Sequence, residues 1–459
     1  MTSYYFYMSW NALYALLLFS STFITWVAGL LVERCGERIK LKKMILTAGL
    51  VLNLGILAYF KYASFILVNV QALLSRAHIS LNVPAPDVIL PVGISFYTFQ
   101  ALGYAIDVYR GDTKAEKNFF RYALFVSFFP QLVAGPIERS KNLLRQMHTA
   151  TVLSYENLRQ GFLMMLCGYF LKLVMADNAA VVVDSVFSSQ DKYPGSYLIL
   201  ATVLFAFQIY GDFGGYSLIA RGAAKMLGFD LMENFNAPYM AASVGEFWRR
   251  WHISLSQWFR DYVYIPLGGN RHGRIRKYFN VMAVFLLSGL WHGASWNFVI
   301  WGGLNGLFQV AEDLLKEPFE RLSALLRVRR DTLSHRVFKT VVTFVLVDYA
   351  WLFFRAGSGG AAIRMTKSML TDHNLWVLFS DSIYGLGLSR DQFGIMVISI
   401  LLVLILDIVK RAGVDMHRII FAQQLWFRIL VYGVILFFIL TFGAWGGGFN
   451  ENTFLYFQF

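Results

Sequence analysis

Read as alternating apolar and polar stretches, the chain shows seven long apolar runs with cores at residues 16–31, 44–59, 162–176, 197–210, 337–354, 393–408 and 429–442. Each approaches or exceeds the roughly 20 apolar residues that cross a bilayer as a helix. A β-barrel would show short alternating segments instead. The pattern predicts an all-α polytopic membrane protein. Basic clusters separate the runs at residues 33–43, 110–121, 138–146, 271–277, 316–339 and 410–418. Lys and Arg accumulate in loops that stay on the cytoplasmic side, so these six are expected there. Residues 188–196 and 357–391 are less basic and are expected outside.

Two intervals do not fit a simple crossing. Residues 122–137 are apolar but short, have basic flanks on both sides, and carry Pro130 and Pro136. Residues 278–315 again have basic flanks on both sides. A helix over 278–291 would be roughly 21 Å long at about 1.5 Å per residue, short of the roughly 30 Å hydrocarbon core. At Gly293 the chain is expected to turn back toward Trp301, leaving His292 deep in the membrane at the tip of a helical hairpin. Irregular backbone at that depth needs burial in protein or a water-filled cavity. Residues 316–339 read as a cytoplasmic or interfacial connector, with a helix along the interface.

Composition sharpens this picture. Hydrophobic residues are 57% of the 459 and charged residues 15%, against about 25% charged in soluble domains. The net charge of +13 belongs to the loops and to anionic lipid headgroups; no basic stripe on a soluble domain points to nucleic acid. Cys35 and Cys167 lie far apart without metal-ligand spacing. No secretory signal peptide is evident, and no tandem repeat.

Polar groups inside apolar helices mark candidate chemistry. Gln100, Tyr104 and Asp107 share a helix face and read either as a hydrogen-bonding seam between helices or as a site wall. Gln208, Tyr210 and Asp212 lie near the cytoplasmic end of an apolar helix. Glycines around Asp212 allow close approach, and Asp212 reads equally as a counter-ion to a nearby Arg. Between residues 245 and 271, Trp248 and Trp258 alternate with Arg249, Arg250, Arg260 and Asp261, with His252 among them. That mixture suits an interfacial anchor or recognition of a phosphorylated ligand.

The stretch "SGLWHGASW" sets His292 between Trp291 and Trp296. An imidazole with an ordinary pKa of about 6.5 can take a proton from an attacking hydroxyl and later return it; a merely structural, hydrogen-bonded histidine is the alternative. No HxxxH or CxxC pair supports zinc, and no metal site is expected. The other histidines sit in loops or at helix ends and read as solvated.

The ordered motifs "PVGISFYTFQ", "AIDVYRG", "FFPQLVAGPIER", "FQIYGDFGGYS", "FNAPYMAASVGEFWRRWHISLSQWFRDYVYIPLGGNR", "LSGLWHGASWNFVIWGGLNG" and "WLFFRA" resemble the membrane-bound O-acyltransferase family. The likeness is to the bacterial branch typified by the alginate O-acetyltransferase membrane subunit, and it runs from residue 3 to about residue 356. It implies a ring of tilted transmembrane helices with re-entrant segments around a central funnel or tunnel. It implies a single integral-membrane acyltransferase domain over residues 1–459, with a motif-bearing core at 90–356.

The activity implied is transfer of an acyl group, here acetyl, from a cytoplasmic thioester donor across the bacterial inner membrane. The acceptor would be an exported polysaccharide such as alginate or cellulose. No bound cofactor is implied; the donor would be acetyl-CoA or another acyl thioester. Partners would be an extracytoplasmic SGNH-like acetyltransferase or a polysaccharide synthase complex, besides the lipid bilayer. By position the family's signature histidine falls on His292, as general base or acyl-holding relay, and its second motif histidine on His252. Tunnel lining or substrate binding is expected of Trp291, Trp296, Asp212, Tyr210, Gln208, Gln100, Trp248, Arg249, Arg250, Trp258, Arg260 and Asp261. The arginines among these are assigned to a phosphorylated carrier by charge alone. Relatives in this branch usually carry a further apolar helix ahead of "YYFYMSWN", which here begins at Tyr4. D-alanyl transfer to teichoic acid, a transporter and a structural export subunit are the alternatives.

Overall fold

The computed structural model describes residues 1–79, 83–84, 86, 88–372, 374–445 and 454. The chain begins with α1 (Thr2–Trp10) and α2 (Tyr14–Arg34). Next, α3 (Ile39–Leu57) continues through a π-helical turn (Ala58–Tyr62) into α4 (Ala63–Arg76). After α5 (Ile94–Arg110) and α6 (Phe119–Ser127), α7 (Tyr155–Tyr169) passes through a second π turn (Phe170–Ala176) into α8 (Asp177–Ser188). Then come α9 (Gly195–Met226), α10 (Val244–Arg250), α11 (Ile253–Phe259), α12 (Gly273–His292), α13 (Trp296–Leu325) and α14 (Leu333–Arg355). The series ends with α15 (Gly359–Thr371), α16 (Arg390–Arg411), α17 (Met416–Ala422) and α18 (Leu425–Phe442). Among the described residues there is no strand.

Among the described residues, seven helical units are long and apolar enough to cross a membrane: α2, α3–α4, α7–α8, α9, α14, α16 and α18. They coincide with the seven apolar runs. The chain is a multi-pass membrane protein.

Contacts at the helix ends sort the loops onto two faces. The Ala115 N–H donates to Glu33, Lys141 pairs with Asp112 at 3.4 Å, and Arg110 donates to the Asp261 carbonyl. Arg274 pairs with Glu317 at 3.0 Å, the Gly245 N–H donates to Glu312, and Arg411 pairs with Glu246 at 3.3 Å. All six basic clusters therefore share one face. On the other face, the Gly195 N–H donates to the Asp372 carbonyl and Tyr197 to Ser382.

Both irregular intervals enter from the basic face and return to it. After α6, residues 128–137 form a buried turn anchored where the Ile137 N–H donates to Ser254. The second interval is the α12–α13 hairpin. Ion pairs Arg274–Glu317 and Lys277–Asp313 (2.8 Å) join its open end. Gly289 and Gly302 let its arms touch: a Cβ on Gly289 would overlap the Phe298 carbonyl oxygen, and one on Gly302 the Phe285 carbonyl oxygen. The same device binds α7 to α9, where Gly161 faces Gly222 and Gly168 faces Gly215. Close backbone approach of this kind replaces the hydrophobic drive that lipid cannot supply.

Two expectations on element bounds are corrected. The helix ending at His292 begins at Gly273, not at 278, because the basic turn 273–277 is itself helical and lies outside the apolar portion. Residues 316–325 continue α13 rather than forming a separate interfacial helix, and α14 begins at Leu333.

Candidate active site

The last turn of α12 delivers His292, and the N-cap of α11 delivers His252. His252 is wholly buried and His292 is 5% exposed. Their ring centroids stand 6.3 Å apart, too far for one ring to donate to the other but close enough to face one reacting group from two sides. His252 sits at φ +42°, a left-handed conformation that costs a residue with a Cβ roughly 1–2 kcal/mol. Strain of this kind gathers at functional sites. Its backbone is pinned there: the Ile253 N–H donates to the Asn234 carbonyl, and Ser254 donates to the Asn234 side chain at 2.7 Å.

Aromatic rings wall the pair. Phe213 meets His252 edge-on at 4.7 Å and Phe96 stacks on it at 6.2 Å. Trp301 and Phe354 meet His292 at 4.9 and 5.5 Å. Trp291 lies 5.8 Å from the ring of His252. Such a wall keeps both imidazoles out of bulk solvent.

A cavity of about 1290 Å³ opens beside this box. Its apolar walls come from α7, the second π turn, α9, α16 and α18, including Leu163, Leu171, Leu402 and Ile435. Arg221, Lys225, Lys410 and Arg418 stand among acidic residues at its charged end. Tyr210, Asn234 and Phe235 line its inner end. Phe235 packs on Phe213 at 5.0 Å and Phe213 on His252, so two rings in series lie between the cavity and His252.

The remaining expected residues divide. Tyr210 is a cavity residue and donates to both oxygens of Asp407 at 3.2 and 3.1 Å. Asp212 pairs with Lys172 at 2.6 Å, so its counter-ion is a lysine of the second π turn and not an arginine. Gln208 is buried on α9. Trp248 donates to Asn305 at 3.3 Å and meets Trp301 edge-on at 5.7 Å, one ring removed from His292.

Gln100 is used between helices: it donates to the Phe125 carbonyl and accepts from Gln131. On the same face, Tyr104 accepts from the Glu116 N–H, and Asp107 accepts from Ser140 and Tyr262. The seam reading of this face holds. Trp258 donates to the Phe99 carbonyl and stacks on Phe99 at 3.9 Å.

Trp296 stands apart from the buried group: it is 58% exposed and donates to Asn69 at 2.8 Å. Arg249 and Arg260 are exposed, and Arg260 pairs with Asp261, which also holds Arg139. Arg250 pairs with Glu246 at 2.9 Å. Burial pushes the Glu246 carboxyl up, but the Ala242 N–H with Arg411 and Arg250 overrides that and holds it below the usual range. None of these three arginines lines the cavity.

His78, His148 and His272 are exposed and His335 half-buried; His373 and the side chain of His417 lie outside the described residues. Among the described residues no three His, Cys, Asp or Glu side chains gather as a metal shell would require. One residue of the site carried no sequence expectation. Lys61, in the first π turn, donates to the carbonyls of Trp291 and His292 at 2.7 and 3.2 Å. Its signal was a lone cation at the edge of an apolar run.

Known proteins resemble this chain over most of its length. The family model for MBOAT, the membrane-bound O-acyltransferase family, matches residues 115–347. The chain is 38% identical to the probable alginate O-acetylase AlgI of Azotobacter vinelandii, over 80% of this chain and 71% of that one. It is 32% identical to the peptidoglycan O-acetyltransferase of Helicobacter pylori, over 81% and 72%. Identity to the teichoic acid D-alanyltransferase of Bacillus subtilis is 27%, over 59% and 70%. The chain therefore belongs to the membrane-bound O-acyltransferase family, in its AlgI-like branch, and is an O-acyltransferase.

Proposed function

We propose that this O-acyltransferase moves an acetyl group from a thioester donor on the basic face to a hydroxyl destined for an exported polysaccharide, in a bacterial cytoplasmic membrane. One observation carries the reading: His292 at the hairpin tip and His252 at the start of α11 are buried 6.3 Å apart, two rings from a cavity lined partly by residues of the basic face. Acetyl is favoured over D-alanyl because identity is 38% and 32% to the relatives named for O-acetylation and 27% to the one named for D-alanyl transfer.

In this reading residues 1–459 act as one membrane unit and 90–356 supply the reacting core. The donor, acetyl-CoA or another acyl thioester, enters the cavity with its acyl end toward Tyr210 and Phe235. His292 takes the proton of the acceptor hydroxyl as its oxygen attacks the thioester carbonyl. The C–S bond breaks, the proton passes to the leaving sulfur, and an ester and a free thiol result. His252 orients the donor from the opposite side. An extracytoplasmic SGNH-like transferase or a synthase complex receives the product.

The test is the acetyl-ester content of the exported polysaccharide in cells carrying wild type or His292→Ala at matched membrane levels. Loss of ester supports the reading. Undiminished ester with His292→Ala returns the histidine to a structural role.

A further inference from the structure

An α-helix ends with its last four carbonyls unsatisfied, and inside a membrane no bulk water serves them. The end of α12 satisfies all four. Gly289 accepts from the Gly293 N–H at 3.3 Å, and Leu290 accepts from the Tyr62 hydroxyl at 2.9 Å. Trp291 and His292 accept from Lys61 at 2.7 and 3.2 Å. Two consecutive side chains of the first π turn thus close the helix that carries His292, from about 230 residues away in sequence. The third donor of Lys61 goes to Ser95 on the first turn of α5 at 3.2 Å.

We infer that Lys61 is a positioning residue for the acyl-transfer reaction: its ammonium fixes the α12 terminus against α5, and so fixes where the His292 ring stands relative to His252. An ammonium has three donors and no acceptor, and all three are taken by Trp291, His292 and Ser95. None remains for substrate, so Lys61 acts through the helix end and not on the reacting atoms. A cation at a helix C-terminus also complements the negative end of the helix dipole. The π turn is part of the device, since such turns insert a residue into a helix and recur at functional sites.

The inference rests on the reading of His292 given above, and its test separates the two. Lys61→Met and Lys61→Arg are compared with wild type in proteoliposomes, with acetyl-CoA as donor probe. Backbone amide exchange is followed in the same preparations without donor. For Lys61→Met, kcat is expected to fall about 100-fold, the cost of a misplacement of about 1 Å. KM for the donor should stay within about threefold, since uniform binding is untouched. Exchange at residues 289–293 should rise about tenfold or more while α5 stays protected, the mark of a local opening.

Lys61→Arg, which keeps charge and donors, should recover most of the lost kcat. A Lys61→Met enzyme with wild-type kcat, or exchange that rises equally through α5 and α12, overturns the inference. If Lys61→Met does not fold, Lys61→Gln carries the same comparison. If His292→Ala is fully active, the functional reading fails, and the exchange result still decides whether Lys61 holds the α12 end.

Discussion

His252 shows how a residue-scale constraint separates chemistry from folding. At φ +42° asparagine is tolerated far better than a β-branched residue. His252→Asn should fold normally and lose acyl transfer by about 10²-fold or more, the usual share of a positioned acid or base. His252→Val should lose stability as well, by roughly 1–3 kcal/mol. Thermal unfolding in detergent and a transfer assay on the same samples check both, and a fully active His252→Asn would remove that residue from the mechanism. Glu138 carries the pH signature. Burial pushes its carboxyl up to about 7 from an ordinary 4.5, against hydrogen bonds from the Met232 N–H and Asn142 that pull it down. A carboxyl raised by folding gives its full stability below 4.5 and loses it as pH climbs through 7. Wild type should therefore melt lower at pH 8 than at pH 5, and Glu138→Gln should flatten that slope. At this scale His292 stood out because an imidazole inside an apolar run is rare, whereas His252, set among arginines and tryptophans, was singled out only by the family resemblance. Lys61 was not, because a lone lysine at a run's edge reads as a flanking charge until tertiary contacts show which carbonyls it meets. Arg249 and Arg260 lie apart from the cavity, which charge in a sequence cannot show: both are exposed, and Arg260 pairs with Asp261.

At the scale of elements, the hairpin is held by glycines whose hydrogens face backbone. Gly289→Ala would drive a Cβ into the Phe298 carbonyl, which cannot rotate away. Overpacking of this sort costs about 1–3 kcal/mol. Gly303 in the same hairpin meets only the Leu286 side chain, at 3.5 Å, so Gly303→Ala should be nearly neutral. Equal melting temperatures for the two variants would refute this account of the hairpin. The seven crossing helices were legible because apolar length alone defines them. The re-entrant segments were legible as misfits, too short and flanked by charge on both sides. Element bounds were less so: the basic turn 273–277 reads as a loop, yet helix forms there because its side chains reach solvent while the backbone continues α12.

The whole molecule sets a charged face and a buried box of two histidines at the two ends of an apolar cavity. Leu402 lines that cavity, away from both histidines. Leu402→Trp should lower kcat/KM for the donor by about tenfold through narrowed access, with kcat at saturating donor less affected. Steady-state kinetics separate the two, and an unchanged kcat/KM would mean that the donor reaches the site by another route. The segregation of basic clusters to one face was legible from charge alone. The cavity was not, because Arg221 and Lys225 of α9, Lys410 of α16 and Arg418 of α17 meet only through helix packing.

The most direct measurement is the rate of acetyl transfer from a thioester donor by purified, reconstituted His292→Ala beside wild type, both shown folded by matching melting curves. A fall of about 10³-fold, within the range of general acid–base catalysis, is the predicted result. Transfer at the wild-type rate would contradict the claim that the hairpin tip is the active site.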